Sequence, residues 1–64
     1  MKIIIRIDTG NAAFEDNTGE ECARILRRLS GEMEDHGDFT PAQFSGWILR
    51  DINGNTCGSI RTEE

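Results

Sequence analysis

Residues 49–60 read L-R-D-I-N-G-N-T-C-G-S-I, and two structures compete for them. In one, Asp51, Asn53 and Asn55 open a calcium loop. In the other, Asn53-Gly54 closes a β-hairpin between Trp47-Ile48-Leu49-Arg50 and Thr56-Cys57-Gly58-Ser59-Ile60. The calcium pattern breaks off after Asn55. Its sixth position needs a glycine and holds Thr56, and its twelfth needs a bidentate glutamate and holds Thr62. Asn-Gly between apolar runs is the strongest short-range hairpin signal, so the hairpin sets the fold. Two registers are open to it. A two-residue loop places Leu49 opposite Gly58. A type I turn from Asp51 to Gly54, followed by a glycine bulge, places Asp51 opposite Asn55 and Leu49 opposite Cys57. The second satisfies more residue preferences and is the preferred register.

Working outward, residues 2–7 read K-I-I-I-R-I, a β-branched run that predicts a strand. Ile3, Ile5 and Ile7 share one face, and Ile4, Arg6 and Asp8 share the other. Residues 9–18 connect it to a helix, with a short helical turn at Ala12-Ala13-Phe14 and Phe14 at the edge of the core. The helix is predicted over residues 19–35. Thr18 and Glu21 fit a capping box, and Gly37 fits a left-handed C-terminal cap. Cys22, Ile25, Leu26, Leu29 and Met33 make one apolar stripe. Glu20 with Arg24 and Arg28 with Glu32 are spaced for ion pairs. Residues 38–45 form a second connector, in which Pro41 suits the first position of a helical turn.

The order strand, helix, hairpin predicts an α+β domain, β-α-β-β, with one helix packed on one face of a three-stranded sheet. The 64 residues allow a single domain, residues 1–64. So small a chain is marginal alone. Cys22 and Cys57 are too few for a disulfide framework and suit a reducing cytosol, and a single histidine does not make a zinc site. Oligomerisation is the remaining source of extra stability. The second face of the sheet has no helix to cover it. It is expected to carry some of Ile4, Ile48, Phe39 and Phe44 and to serve as a dimer or partner surface.

Net charge is −5, from 12 acidic and 7 basic residues. That argues against a general nucleic-acid binder, which needs a basic stripe. It suits a solvated surface or a partner with a basic patch. No apolar run approaches the roughly 20 residues of a membrane span, and the expected location is cytoplasmic. Asp8-Thr9-Gly10 looks like the catalytic triplet of aspartic proteases. The flap and the second apolar strand–glycine segment of that chemistry are missing, so a strand end turning through glycine is the reading. Residues 32–38 gather Glu32, Glu34, Asp35, Asp38 and His36. They read as a solvated helix end rather than a metal cluster. These charges oppose the negative end of the helix dipole, a local cost that suggests they face a partner. Arg24, Arg27 and Arg28 read as intrahelical partners of Glu20, Glu21 and Glu32. No nucleophile–base pair, phosphate loop or cofactor fingerprint is present, so neither an enzyme nor a cofactor is expected.

Three segments carry a resemblance: Asn11-Ala12-Ala13-Phe14-Glu15-Asp16-Asn17, Ala23-Arg24-Ile25-Leu26-Arg27 and Leu49-Arg50-Asp51-Ile52-Asn53-Gly54-Asn55. Together they resemble a group of small, mostly uncharacterised acidic proteins encoded by phages, prophages and plasmids. The likeness departs over residues 38–47, where such proteins are usually shorter. It implies a bacterial host cell and an accessory protein that binds a host or phage protein, including as an inhibitor of a defence system such as CRISPR. Trp47, Phe39 and Phe44 are the expected anchors, with Glu32, Glu34, Asp35 and Asp38 at the rim. The alternatives are a self-associating structural or regulatory module, with a homodimer, and a weak metal-binding domain.

Overall fold

The structure, a computed structural model, describes residues 1–38 and 40–64. Among these residues, three strands and one helix follow in the expected order: β1 (Lys2–Ile7), α1 (Thr18–His36), β2 (Ile48–Arg50) and β3 (Thr56–Glu63). Two 3-10 turns, Ala12–Phe14 and Pro41–Phe44, lie in the connectors.

In space the strands are ordered β1-β3-β2, and both pairings are antiparallel. The first two strands are therefore parallel to each other but not neighbours, because the last strand lies between them. β3 becomes central because it is long enough to pair on both sides. It meets β1 from Lys2↔Glu63 to Ile7↔Gly58, and meets β2 through the hairpin.

The hairpin tip has the preferred register. Asp51 donates its N–H to Asn55 O at 2.9 Å, and Gly54 N–H closes the turn onto Asp51 O at 3.0 Å. Gly54 takes φ 84°, the left-handed conformation that the glycine bulge requires. Beyond Arg50↔Thr56 the register slips by one residue, and Leu49 sits opposite Gly58 rather than the expected Cys57. Cys57 is the extra residue of this second bulge. Its side chain and the Leu49 side chain are both buried on the helix side, so the slip leaves two apolar groups in the core.

α1 runs one residue beyond the expected bounds at each end, and its N-cap differs. Asn17, not Thr18, caps it, accepting from Glu20 N–H at 2.9 Å. Thr18 donates instead to Phe14 O at 3.0 Å, which ties the first 3-10 turn to the helix. Glu21, freed from any capping box, is buried. The C-cap is Gly37, at the expected position, but its φ of 66° and ψ of −126° lie outside the expected left-handed helical region. Of the apolar stripe, Ile25 and Leu29 are buried, Cys22 and Met33 are half-buried, and Leu26 is 44% exposed. Phe14, Phe44, Leu49, Cys57 and Ile60 complete the core between helix and sheet. Phe14 lies fully inside it rather than at its edge. No helix among the described residues is long and apolar enough to cross a membrane.

Candidate functional site

Among the described residues, the rings of His36, Phe44 and Trp47 meet where the chain leaves the second 3-10 turn. The Gln43 side chain accepts from Thr40 N–H at 2.8 Å and fixes the start of that turn. Gly46, at φ 88°, then reverses the backbone and donates to Ile60 O at 2.9 Å. Trp47 donates to Phe44 O at 3.1 Å and accepts from Ile60 N–H at 2.9 Å. These bonds set the side-chain alternation of the segment. Trp47 shares parity with buried Leu49 and turns to the helix side, whereas Ile48 turns outward. The Trp47 and Phe44 rings meet edge to face at 4.4 Å. His36, in the last turn of α1, lies 5.1 Å from Trp47 and 5.9 Å from Phe44.

Around Trp47 a groove of about 560 Å3 opens between α1 and residues 46–48, lined by Glu32, Asp35, His36, Gly46, Trp47 and Ile48. Glu32 and Asp35 reach it because they stand three residues apart on one flank of the helix. Glu32 also sits 3.4 Å from Arg28. Both side chains of that pair are well exposed, so the pair holds neither charge tightly.

The expected anchors and rim thus separate. Trp47, Glu32 and Asp35 are brought together. Phe44 is fully buried beneath Trp47 and supports the groove from inside; it is not a surface anchor, because the edge-to-face contact and the core absorb its ring. Glu34 and Asp38 are exposed, outside the lining of the groove. Phe39 lies outside the described residues. Among the described residues, the uncovered sheet face carries none of the expected aromatic anchors. Ile4 and Ile48 do lie on it, interleaved with Lys2, Arg6 and Arg61, while Trp47 and Phe44 belong to the opposite side. His36 and Gly46 complete the groove. His36 was visible only as a member of the acidic run, and Gly46 carried no signal beyond being a glycine.

A second polar cluster joins the start of α1 to the hairpin. Glu21 Oε1 accepts from Arg24 Nε at 2.6 Å, and Oε2 accepts from Arg24 Nη2 at 3.2 Å and from Ile52 N–H at 2.9 Å. Arg24 Nη2 also donates to Arg50 O at 3.3 Å. The hydrogen bond from Arg24, aided by that from Ile52 N–H, holds the Glu21 carboxyl below its ordinary value, against the opposing effect of burial. Arg24 is pushed up by the same bond. Nearby, Cys57 is pushed up, chiefly by burial and then by the charges of Asp51 and Glu21. Asp51 Oδ1 accepts from both Asn53 and Asn55 N–H at 2.9 Å. One oxygen of the Asp51 carboxylate is thus committed to the turn. Asp51 Oδ2 is buried and has no hydrogen-bond partner among the described residues. The cluster positions elements: it fastens helix to hairpin through a carboxylate whose four-atom reach no spacing rule links to Ile52. Among the described residues, no group of three or more His, Cys, Asp or Glu is placed to hold a metal ion.

Compared with family models, curated proteins and solved structures, the chain finds no match.

Proposed function

We propose that the chain is a non-enzymatic binding module whose Trp47 groove receives an arginine or lysine side chain of a protein partner. One observation carries the reading: a half-buried tryptophan lies in the same groove as two carboxylates, Glu32 and Asp35. An indole offers its negative face to a cation, and carboxylates beside it add charge attraction and hydrogen bonds. The net charge of −5 steers a basic partner toward the molecule. Phe44 and His36 pack against the indole.

The resemblance of residues 11–17, 23–27 and 49–55 to phage, prophage and plasmid proteins supports a bacterial host as the setting. The partner would then be a host or phage protein with a basic patch. A component of a defence system such as CRISPR is one such target, and its inhibition is the corresponding role.

Trp47 is the only tryptophan, so its fluorescence reports the groove directly. Titration with a short arginine-rich peptide is expected to shift or quench the emission, and a glutamate-rich peptide of equal length is expected to leave it unchanged. The Glu32→Gln/Asp35→Asn variant, altered only at exposed positions, should lose the response while keeping the wild-type circular dichroism. Equal responses to both peptides, or none to either, would refute the groove as a cation site.

A further inference from the structure

β1 is an edge strand, and its backbone orientation follows from two hydrogen bonds. Asp8 N–H donates to Cys57 O at 2.6 Å, so in β1 the even-numbered residues turn their backbone groups toward β3. Ile60, opposite Ile5, turns its own N–H away from β1 to Trp47 O. Ile3, Ile5 and Ile7 therefore present their N–H and C=O groups outward, where no strand among the described residues meets them. A six-residue edge of this kind, rich in β-branched residues, is a template for another strand.

The side chains tell the same story. Ile3 and Ile5 are 39% and 41% exposed, although they lie on the helix side of the sheet with buried Ile60. The helix does not cover them because it leans the other way. Arg28 and Glu32 line the cleft over Ile48, Leu49 and Arg50, on the β2 side. At 100° per residue, Cys22, Leu26 and Met33 then lie on the flank nearer β1. That flank carries exposed Leu26. An open backbone edge, two exposed isoleucines and an exposed leucine thus adjoin one another.

We infer that the occupant of this edge is a second copy of the chain, paired β1 to β1 about a two-fold axis. Charge complementarity selects the copy and its register. Outward-facing odd residues must meet odd residues, which leaves two symmetric pairings along most of the strand. With Ile4 at the axis, Lys2 stands opposite Arg6 of the second copy, a like-charge contact made twice. With Ile5 at the axis, Lys2 stands opposite Asp8 of the second copy, an opposite-charge contact made twice, and Arg6 faces Ile4. Ile5 then exchanges both backbone hydrogen bonds with its symmetry mate, and Ile3 does so with Ile7. Asp8 is already 3.4 Å from Arg6 of its own chain; both side chains are well exposed, so this weak pair leaves Asp8 free to meet Lys2.

The product is a continuous six-stranded antiparallel sheet, β2-β3-β1-β1-β3-β2, with both helices on one face. Ile3, Ile5 and Ile7 of both copies line the seam between the two Leu26 flanks. The interface is isologous and closes, so pairing stops at two copies. It lies apart from the Trp47 groove and does not depend on the function proposed for that groove.

The test combines sedimentation with residue-resolved amide exchange across a wide concentration range. The expected result is a dimer in which the Ile3, Ile5 and Ile7 amides slow as concentration rises. The Ile4 and Arg6 amides, which face β3, should be protected at every concentration. Ile5→Lys should abolish the dimer and leave the exchange of the Ile4 and Arg6 amides intact. Lys2→Asp or Asp8→Lys alone should weaken association by roughly tenfold, and the double charge swap should restore it. Lys2 and Asp8 are exposed, so the swap still decides the matter if Ile5→Lys does not fold. A monomer whose Ile3, Ile5 and Ile7 amides exchange freely at every concentration would overturn the inference. So would a dimer that the double swap fails to rescue.

Discussion

Replacing Gly58 with alanine is expected to unfold much of this protein, although it adds a single methyl group. Gly58 sits in β3 opposite Ile7, beside the Cys57 bulge. A Cβ built there lies 3.0 Å from the Arg6 carbonyl carbon, 3.2 Å from Ile7 Cα, and well inside contact with the Arg6 carbonyl oxygen. All three atoms are backbone, so no side chain can swing aside; β1 must move away from β3. Overpacking of this kind costs about 1–3 kcal/mol. Loss of the adjacent Asp8–Cys57 hydrogen bond and its neighbour adds about 1 kcal/mol each, for a total of roughly 3–5 kcal/mol. At about 0.05–0.15 kcal/mol per residue, a 64-residue domain has roughly 3–10 kcal/mol to lose. At about 4–8 °C per kcal/mol, the midpoint should fall by at least ~12 °C. Gly31→Ala is the control. Gly31 is exposed in the interior of α1 with open space around its Cβ position, so the same chemical change should add about 1 kcal/mol through helix propensity. Thermal and urea melts followed by circular dichroism read both variants. A Gly58→Ala protein within about 1 kcal/mol of wild type would refute the claim that close strand approach holds β1 in place.

Three further outcomes follow from the same geometry. Glu21 has its folded value below the ordinary 4.5. Its contribution to stability is therefore complete above that value and is lost as pH falls through the folded value; urea melts of wild type and Glu21→Gln should converge on acidification, and a constant gap between them would refute this. Cys57 is buried with its thiol pushed above the ordinary 9.0, so iodoacetamide should label half-buried Cys22 first and reach Cys57 only on unfolding, which mass spectrometry of the two peptides would show. Leu29→Ala, at a position 3% exposed, should cost about 2–5 kcal/mol, whereas Leu26→Ala in dilute protein should cost a small fraction of that; similar losses would mean the buried face of α1 is misassigned.

β1, α1 and the hairpin tip are found where their residues put them, whereas β3 runs to Glu63, three residues past the expected Ile60, because Arg61, Thr62 and Glu63 pair with Ile4, Ile3 and Lys2. β1 is marked by alternating β-branched residues, and its bounds match. α1 is marked by a 3.6-residue apolar stripe ending at Gly37, and its bounds agree to one residue at each end. The hairpin tip is marked by Asp51, Asn53 and Gly54, whose hydrogen bonds stay within five residues. The candidate site was legible in part: Trp47, Glu32 and Asp35 stood out as an aromatic and two charges, but nothing in their spacing joined them.

What could not be read locally depends on which segments touch. The N-cap went to Asn17 because Glu21, the expected capping partner, finds Arg24 and Ile52 instead, and Ile52 is 31 positions away. The central place of β3 follows from its pairing with both other strands, an energy shared across the whole sheet. The slip at Cys57 places two apolar side chains in one core and lets Gly58 pass close to Arg6, a contact between opposite ends of the chain. The side on which Trp47 emerges follows from the Gly46 turn and the Ile60 hydrogen bonds. Local backbone preference and turn chemistry act between neighbours in sequence, and so they name the elements. Packing acts between neighbours in space, and it alone sets strand order, register beyond the turn, and the face each side chain presents.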